Sequence, residues 1–194
     1  MTARQRGRPP RDQVGVTPGA MLSTALEILD GEGAEALTMR ALAKRSGINP
    51  MTIYHHFGDR DGLIRALSER VYAGVAAPQK GSARTRLEEL LQSYQSQVVQ
   101  HPGLTLTIFS RPSVFPDQAK RITEDLRTLL RELGLPPSRS QLWVSILVDF
   151  THGAALATAM SRRSENEDGQ KTSIGDKEYA SALAELLDSL DRSN

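Results

Sequence analysis

Residues 37–57 read LTMRALAKRSGINPMTIYHHF. Thr38 precedes a run of good helix formers in which Leu42 and Ala43 share a face, and a threonine oxygen can accept a free N–H of a helix's first turn. Gly47 follows where a helix commonly ends in a left-handed residue. Asn49 is a second N-cap, and Pro50, with fixed φ and no N–H, suits the first position of the next helix. The stretch therefore predicts two short helices joined by a very tight turn. Ile48 and Ile53 are spaced to close a hydrophobic staple that fixes the angle of the second helix. With Ile53 pointing inward and ~100° per residue, Phe57 lies ~40° from the core direction, Met51 and His55 point away, and Thr52 and Tyr54 flank them. His56, at ~60°, fits either the outer surface or a packed, hydrogen-bonded position.

An ordinary surface helix carries Lys and Glu on its outer face. This one presents a hydroxyl, a phenol, an imidazole and a soft apolar side chain, groups suited to phosphates, base edges and thymine methyls. Arg40, Lys44 and Arg45 on the preceding helix are either a solvated basic face or an extension of the same surface. The pattern is that of a helix-turn-helix reader of double-stranded DNA.

The segment is similar to the DNA-binding domain of the tetracycline-repressor (TetR) family. There a threonine-capped helix, a glycine turn and a T-[IL]-Y-x-[HY]-F recognition helix precede an aspartate-capped helix. The matching residues are Thr38, Gly47, Thr52-Ile53-Tyr54-His55-His56-Phe57 and Asp59-Arg60-Asp61-Gly62-Leu63, within about residues 20 to 68. The resemblance implies that Thr52 and Tyr54 bond phosphates, that Arg60 meets the DNA backbone, and that Arg40 reaches a guanine edge. Thr38, Asn49, Pro50, Met51, His55 and His56 complete the candidate DNA-binding set. The family usually has glycine or another small residue near Pro50 or Met51, so no base preference is transferred.

Net charge over the 194 residues is only +1, but it is unevenly spread. Residues 1–17 and 38–60 each carry +3, whereas residues 18–37 carry −4 and residues 61–194 carry −1. Positive charge is concentrated where a phosphate backbone would be met. Residues 1–16 have almost no large apolar side chains and are expected to be a flexible basic arm. Within it Arg6-Gly7-Arg8-Pro9 resembles the core of an AT-hook, which would lay Arg6 and Arg8 along a narrow minor groove; a solvated tail is the equal alternative.

Outside this segment the chain reads as helix throughout. Thr17 and Pro18 open a first helix carrying Met21, Leu22, Ala25, Leu26 and Leu29, with Gly31 and Gly33 as its stop. After Leu63, Ile64, Leu67 and Val71, helices are expected over Leu87–Val98, closed by Pro102-Gly103, over Leu104–Phe109, and from near Pro116 to Leu133. Leu142–Leu156 is apolar on nearly every side, as for a helix buried on more than one face. A single stripe, Tyr179, Leu183, Leu186, Leu187 and Leu190, marks the last helix, and polar residues 161–175 are expected to be a mobile loop.

The fold class is all-α: a three-helix helix-turn-helix unit over residues 17–63 and a larger helical ligand-binding and dimerisation domain over residues 64–194. The resemblance implies that the last two helices pair between two copies in a homodimer, and that a cavity in the larger part takes a small-molecule effector. Candidate lining residues are Leu91, Tyr94, Leu106, Phe109, Trp143, Asp149, Phe150 and His152. The alternatives for Asp149 are an arginine across the dimer or solvent. No cysteine is present, and no metal-ligand spacing, nucleophile–base set or phosphate loop stands out, so no cofactor, metal or enzymatic activity is expected. No apolar h-region and no run of ~18 uninterrupted apolar residues occurs, so a cytoplasmic protein without a membrane partner is expected. The reading is a repressor that binds a palindromic operator and is released by a small hydrophobic or aromatic effector; the alternative is a regulator controlled by a protein partner.

Overall fold

A computed structural model describes residues 16–111, 114–168 and 175–191, which form helices with no strand among them. Helix α1, Pro18–Glu32, begins where Thr17 Oγ1 accepts the N–H of Ala20 at 3.2 Å. It passes through Gly31 and ends at Gly33, where φ reaches +87°. One glycine inside a helix costs only ~1 kcal/mol, so Gly31 alone does not stop it.

Helices α2, Met39–Ser46, and α3, Pro50–Phe57, follow as their caps dictate. Thr38 Oγ1 accepts from Ala41 N at 3.0 Å and Asn49 Oδ1 from Met51 N at 2.8 Å. Gly47 adopts φ +67°, ψ 29°, the left-handed conformation a turn this short requires. Helix α4, Arg60–Val71, is capped by Asp59 Oδ1 accepting from Gly62 N at 2.7 Å. Met21, Ile28, Leu42, Ile53, Leu63 and Leu67 are fully buried among these four helices. Each contributes about 1.5–3 kcal/mol relative to exposure, which holds α3 at a fixed angle.

The larger part is built around α5, Ala83–Gln100, which packs on α6 (Pro102–Phe109), α7 (Asp117–Glu132), α8 (Pro137–Asp168) and α9 (Gly175–Asp191). His101 alone separates α5 from α6, because Pro102, expected to close a helix, opens the next one at its first position. Residues 161–168, expected in a loop, continue α8: a polar run without Gly or Pro gives a helix no reason to end. The inner face of α8 buries Val144, Leu147, Thr151 and Ala155 against α5, whereas Leu142 and Met160 are exposed in the single chain. Residues Pro137–Arg162 are long and apolar enough to cross a membrane by length and composition, and 39% of their apolar window is buried inside the protein.

Helix α4 belongs to both parts: the expected division at 63–64 falls inside it, and it packs on α1 and α3 as well as on α6 and α7. Arg70 donates to Ser23 Oγ on α1 at 2.8 Å, and Glu69 accepts from Gln118 N and Arg121 Nη2 of α7 at 2.8 and 2.7 Å. Two further bonds fasten the segment around α6 to the N-terminal helices. His101 Nδ1 lies 2.8 Å from Asp30 Oδ2 of α1, and Arg111 Nη1 donates to Asp61 Oδ1 of α4 at 2.6 Å.

Candidate nucleic-acid interface and internal cavity

The outer face of α3 is open. Met51 is 69% and Tyr54 42% exposed, and His55 is exposed beside them, while Thr52 and Pro50 are half-buried and Ile53 is fully buried. His56, for which two positions were open, lies on the surface, its ring edge-on to His55 with centroids 5.5 Å apart. Thr38 and Asn49 are exposed, and each accepts an N-capping bond through its side-chain oxygen. The Thr38 hydroxyl hydrogen and the Asn49 amide NH2 therefore keep donor capacity for an anion.

The basic residues divide into two sets. Arg40 and Lys44 are exposed on α2, whereas Arg45 pairs with Glu32 at 2.7 Å and so joins α2 to the end of α1. Arg60 is half-buried: one guanidinium nitrogen donates to the Ala34 carbonyl and Nε is buried. It fastens the α1–α2 connection to the start of α4. A fork of five donors satisfies a loop carbonyl as readily as a phosphate, and a loop 26 residues away is invisible to local pattern. Arg6 and Arg8, with the rest of the arm's first fifteen residues, lie outside the described residues.

Between α4, α5, α6, α7 and α8 lies a cavity of about 280 Å³. Its wall is mostly apolar, with Ile108, Ile122 and Val148 inside and half-exposed Phe109 and Phe115 at the mouth. Two hydrogen-bonded pairs interrupt it: Tyr72 Oη with Thr105 Oγ1 at 2.8 Å, and Tyr94 Oη with His152 Nε2 at 2.5 Å. Phe109 stands edge-on to His152, centroids 4.6 Å apart. Burial pushes the Tyr72 phenol up to about 12 and the Tyr94 phenol also upward, and it lowers the His152 imidazole although Asp149 opposes this. All three groups are uncharged near neutral pH.

The family model for bacterial regulatory proteins of the tetR family matches residues 21–67, which are α1 through most of α4. Residues 21–67 carry a DNA-binding domain of the TetR family. Across nearly its whole length, 190 residues or 96% of this chain and 68% of the relative, the chain is 26% identical to the HTH-type transcriptional repressor DrrR1 of Streptomyces coeruleorubidus. Mycobacterium smegmatis BioQ has the same fold, with a TM-score of 0.77 at 21% identity over 93% of this chain and all of that one. The TetR-family protein ActR of Streptomyces coelicolor, solved in complex with (S)-DNPA, superposes with a TM-score of 0.62 at 28% identity, over 74% of this chain and 72% of that one.

Of the eight lining residues expected, the cavity wall contains Tyr94, Phe109 and His152. Leu91 is fully buried in the core, where its carbonyl accepts from Tyr179 Oη, and Trp143 is buried away from the cavity. Leu106 faces a groove between α1, α6 and α8, one helical step from the wall residues Thr105 and Ile108. Phe150 stacks on Tyr179 at 5.6 Å and lines a depression between α8 and α9, and Asp149 is exposed. Periodicity finds apolar faces but not which face borders empty space. Among the wall residues it missed, Ser68 of α4, Tyr72 at its C-cap and Thr105 of α6 are polar positions inside apolar stripes, and for these that interruption was the available signal.

Proposed function

We propose that this TetR-family regulator is a cytoplasmic repressor. A homodimer binds a palindromic operator through two α3 faces, and a small apolar or aromatic ligand entering the α4–α8 cavity releases it. The observation that carries the reading is the double membership of α4: its first turn packs against α3, and its Ser68 and Tyr72 form cavity wall. A ligand that moves α4 moves the reading face, and two faces must keep a fixed spacing to fit successive major grooves. Residues 17–63 are then the reading unit, residues 64–194 the sensing and pairing unit, and residues 1–16 an arm. The repressor named among the relatives and the ligand complex of ActR support the same assignment.

In the proposed complex Thr52 and Tyr54 donate to phosphates, with Thr38 and Asn49 beside them. Arg40 and His55 reach base edges, Met51 covers a thymine methyl, and Pro50 and His56 border the contact. Selection from a randomised duplex library should return a palindrome, and an added ligand should lower affinity for it. Tyr54→Phe should weaken binding to all sequences alike, by roughly ten- to a hundredfold for a bond to a charged acceptor worth ~1.5–3 kcal/mol. Arg40→Ala should alter the preferred bases, at ~1–3 kcal/mol of discrimination per lost bidentate contact. An Arg40→Ala protein with unchanged affinity and unchanged preference would remove Arg40 from the interface.

A further inference from the structure

The cavity wall holds a polar atom that the protein leaves unpaired. Ser68 on α4 is fully buried, and its Oγ has no hydrogen-bond partner. The other wall hydroxyls are satisfied: Tyr72 with Thr105, Tyr94 with His152, and Thr123 through the Ala119 carbonyl at 2.8 Å. A buried unsatisfied hydroxyl costs about 1–3 kcal/mol. A serine or threonine inside a helix has a ready remedy in the carbonyl one turn back, as Thr123 demonstrates. Ser68 does not take it.

Among the described residues, the wall contains no Asp, Glu, Lys or Arg. An ionic ligand would leave water without a counter-charge, and that penalty is severe in an apolar site. At about 280 Å³ the space sits at the lower limit of the ~300–1,000 Å³ usual for small-molecule pockets, which suits one or two fused rings. Tyr72, Tyr94, Phe109 and Phe115 offer aromatic surface to such rings.

We propose that the cavity takes a compact, uncharged aromatic compound bearing a hydroxyl or carbonyl group, and that Ser68 reads this group through a hydrogen bond. This rests on the cavity being the effector site. It also makes α4, the helix that follows the recognition helix, the element that meets the ligand's polar group.

Calorimetric titration of the DNA-free full chain at neutral pH tests the assignment with 2-naphthol, 2-naphthoate, 2-naphthyltrimethylammonium and naphthalene. 2-Naphthol should bind at least tenfold more tightly than either ion. Ser68→Ala removes only the unpaired hydroxyl and should keep the wild-type melting temperature or raise it. It should also weaken 2-naphthol about fivefold, the equivalent of one ordinary hydrogen bond, while naphthalene binds both proteins equally. Equal binding of naphthol and naphthoate, full retention of naphthol affinity by Ser68→Ala, or no naphthol binding up to its solubility limit would each overturn the proposal. Binding in the expected order with unchanged operator affinity would sustain it and reject the effector reading instead.

Discussion

His152 shows what the cavity costs the protein. Its Nε2 is bonded to Tyr94, and burial lowers its pKa below the ordinary 6.5, with the exposed Asp149 one turn earlier acting in the opposite direction. In the unfolded chain the imidazole takes up a proton as pH falls through about 6.5, whereas in the fold it does so only at lower pH. The unfolded state then binds more protons, so stability must fall with pH below about 6.5 and be unaffected by this group above it. Melting temperature measured on both sides of that value should decline on the acid side in the wild type and decline less in His152→Gln. Parallel slopes would mean that the ring takes up its proton in the fold at no cost.

Helix α3 is held against α4 by a contact with no room for a methyl group. A Cβ on Gly62 would lie 1.9 Å from the Phe57 carbonyl oxygen, so the end of the recognition helix meets bare backbone on the first turn of α4. Gly62→Ala must push the two helices apart, a core overpacking that costs typically 1–3 kcal/mol. At roughly 2–4 °C per kcal/mol for a chain of this size, the melting temperature should drop by several degrees, and operator affinity should fall because the α3 face tilts. Gly31→Ala, inside α1 with nothing within 4 Å of the added carbon, is the control; it should raise stability by about 0.4–1 kcal/mol. A melting temperature unchanged by Gly62→Ala would mean that the two helices separate there at no cost.

The same pair of helices shows what could be read in advance. The α2–α3 turn and its outward face were legible because caps, staple and left-handed glycine act within a few residues, and Thr38, Gly47, Asn49 and Ile53 sit as their chemistry requires. The Gly62 contact was visible only as part of a motif, since nothing local reveals a carbonyl across the turn. The Arg60–Ala34 bond was not legible because its partner lies in another loop. Ser68 and Tyr72 were passed over for the same reason: a cavity is a property of several helices together, and its wall is written in no one of them.

The outer side of α8 carries exposed apolar side chains in the single chain. At ~100° per residue Leu142 and Met160 point the same way, with Ile146, Asp149, Gly153 and Leu156 within ~40° of the line between them. Leu142 and Met160 are 59% and 63% exposed, and Gly153 is exposed as well, so a second helix can approach closely along the stripe. A twofold partner covers such a stripe with the same stripe, which is the economical way to bury it and also yields two α3 faces related by symmetry. Sedimentation should find a dimer at micromolar concentration. Leu142→Glu combined with Met160→Glu brings like charges onto a face exposed in the single chain, so it should leave the fold intact, give monomers and reduce affinity for the palindrome far more than for a single half-site. A double variant that sediments as a dimer with full operator affinity would place the twofold contact elsewhere on the molecule.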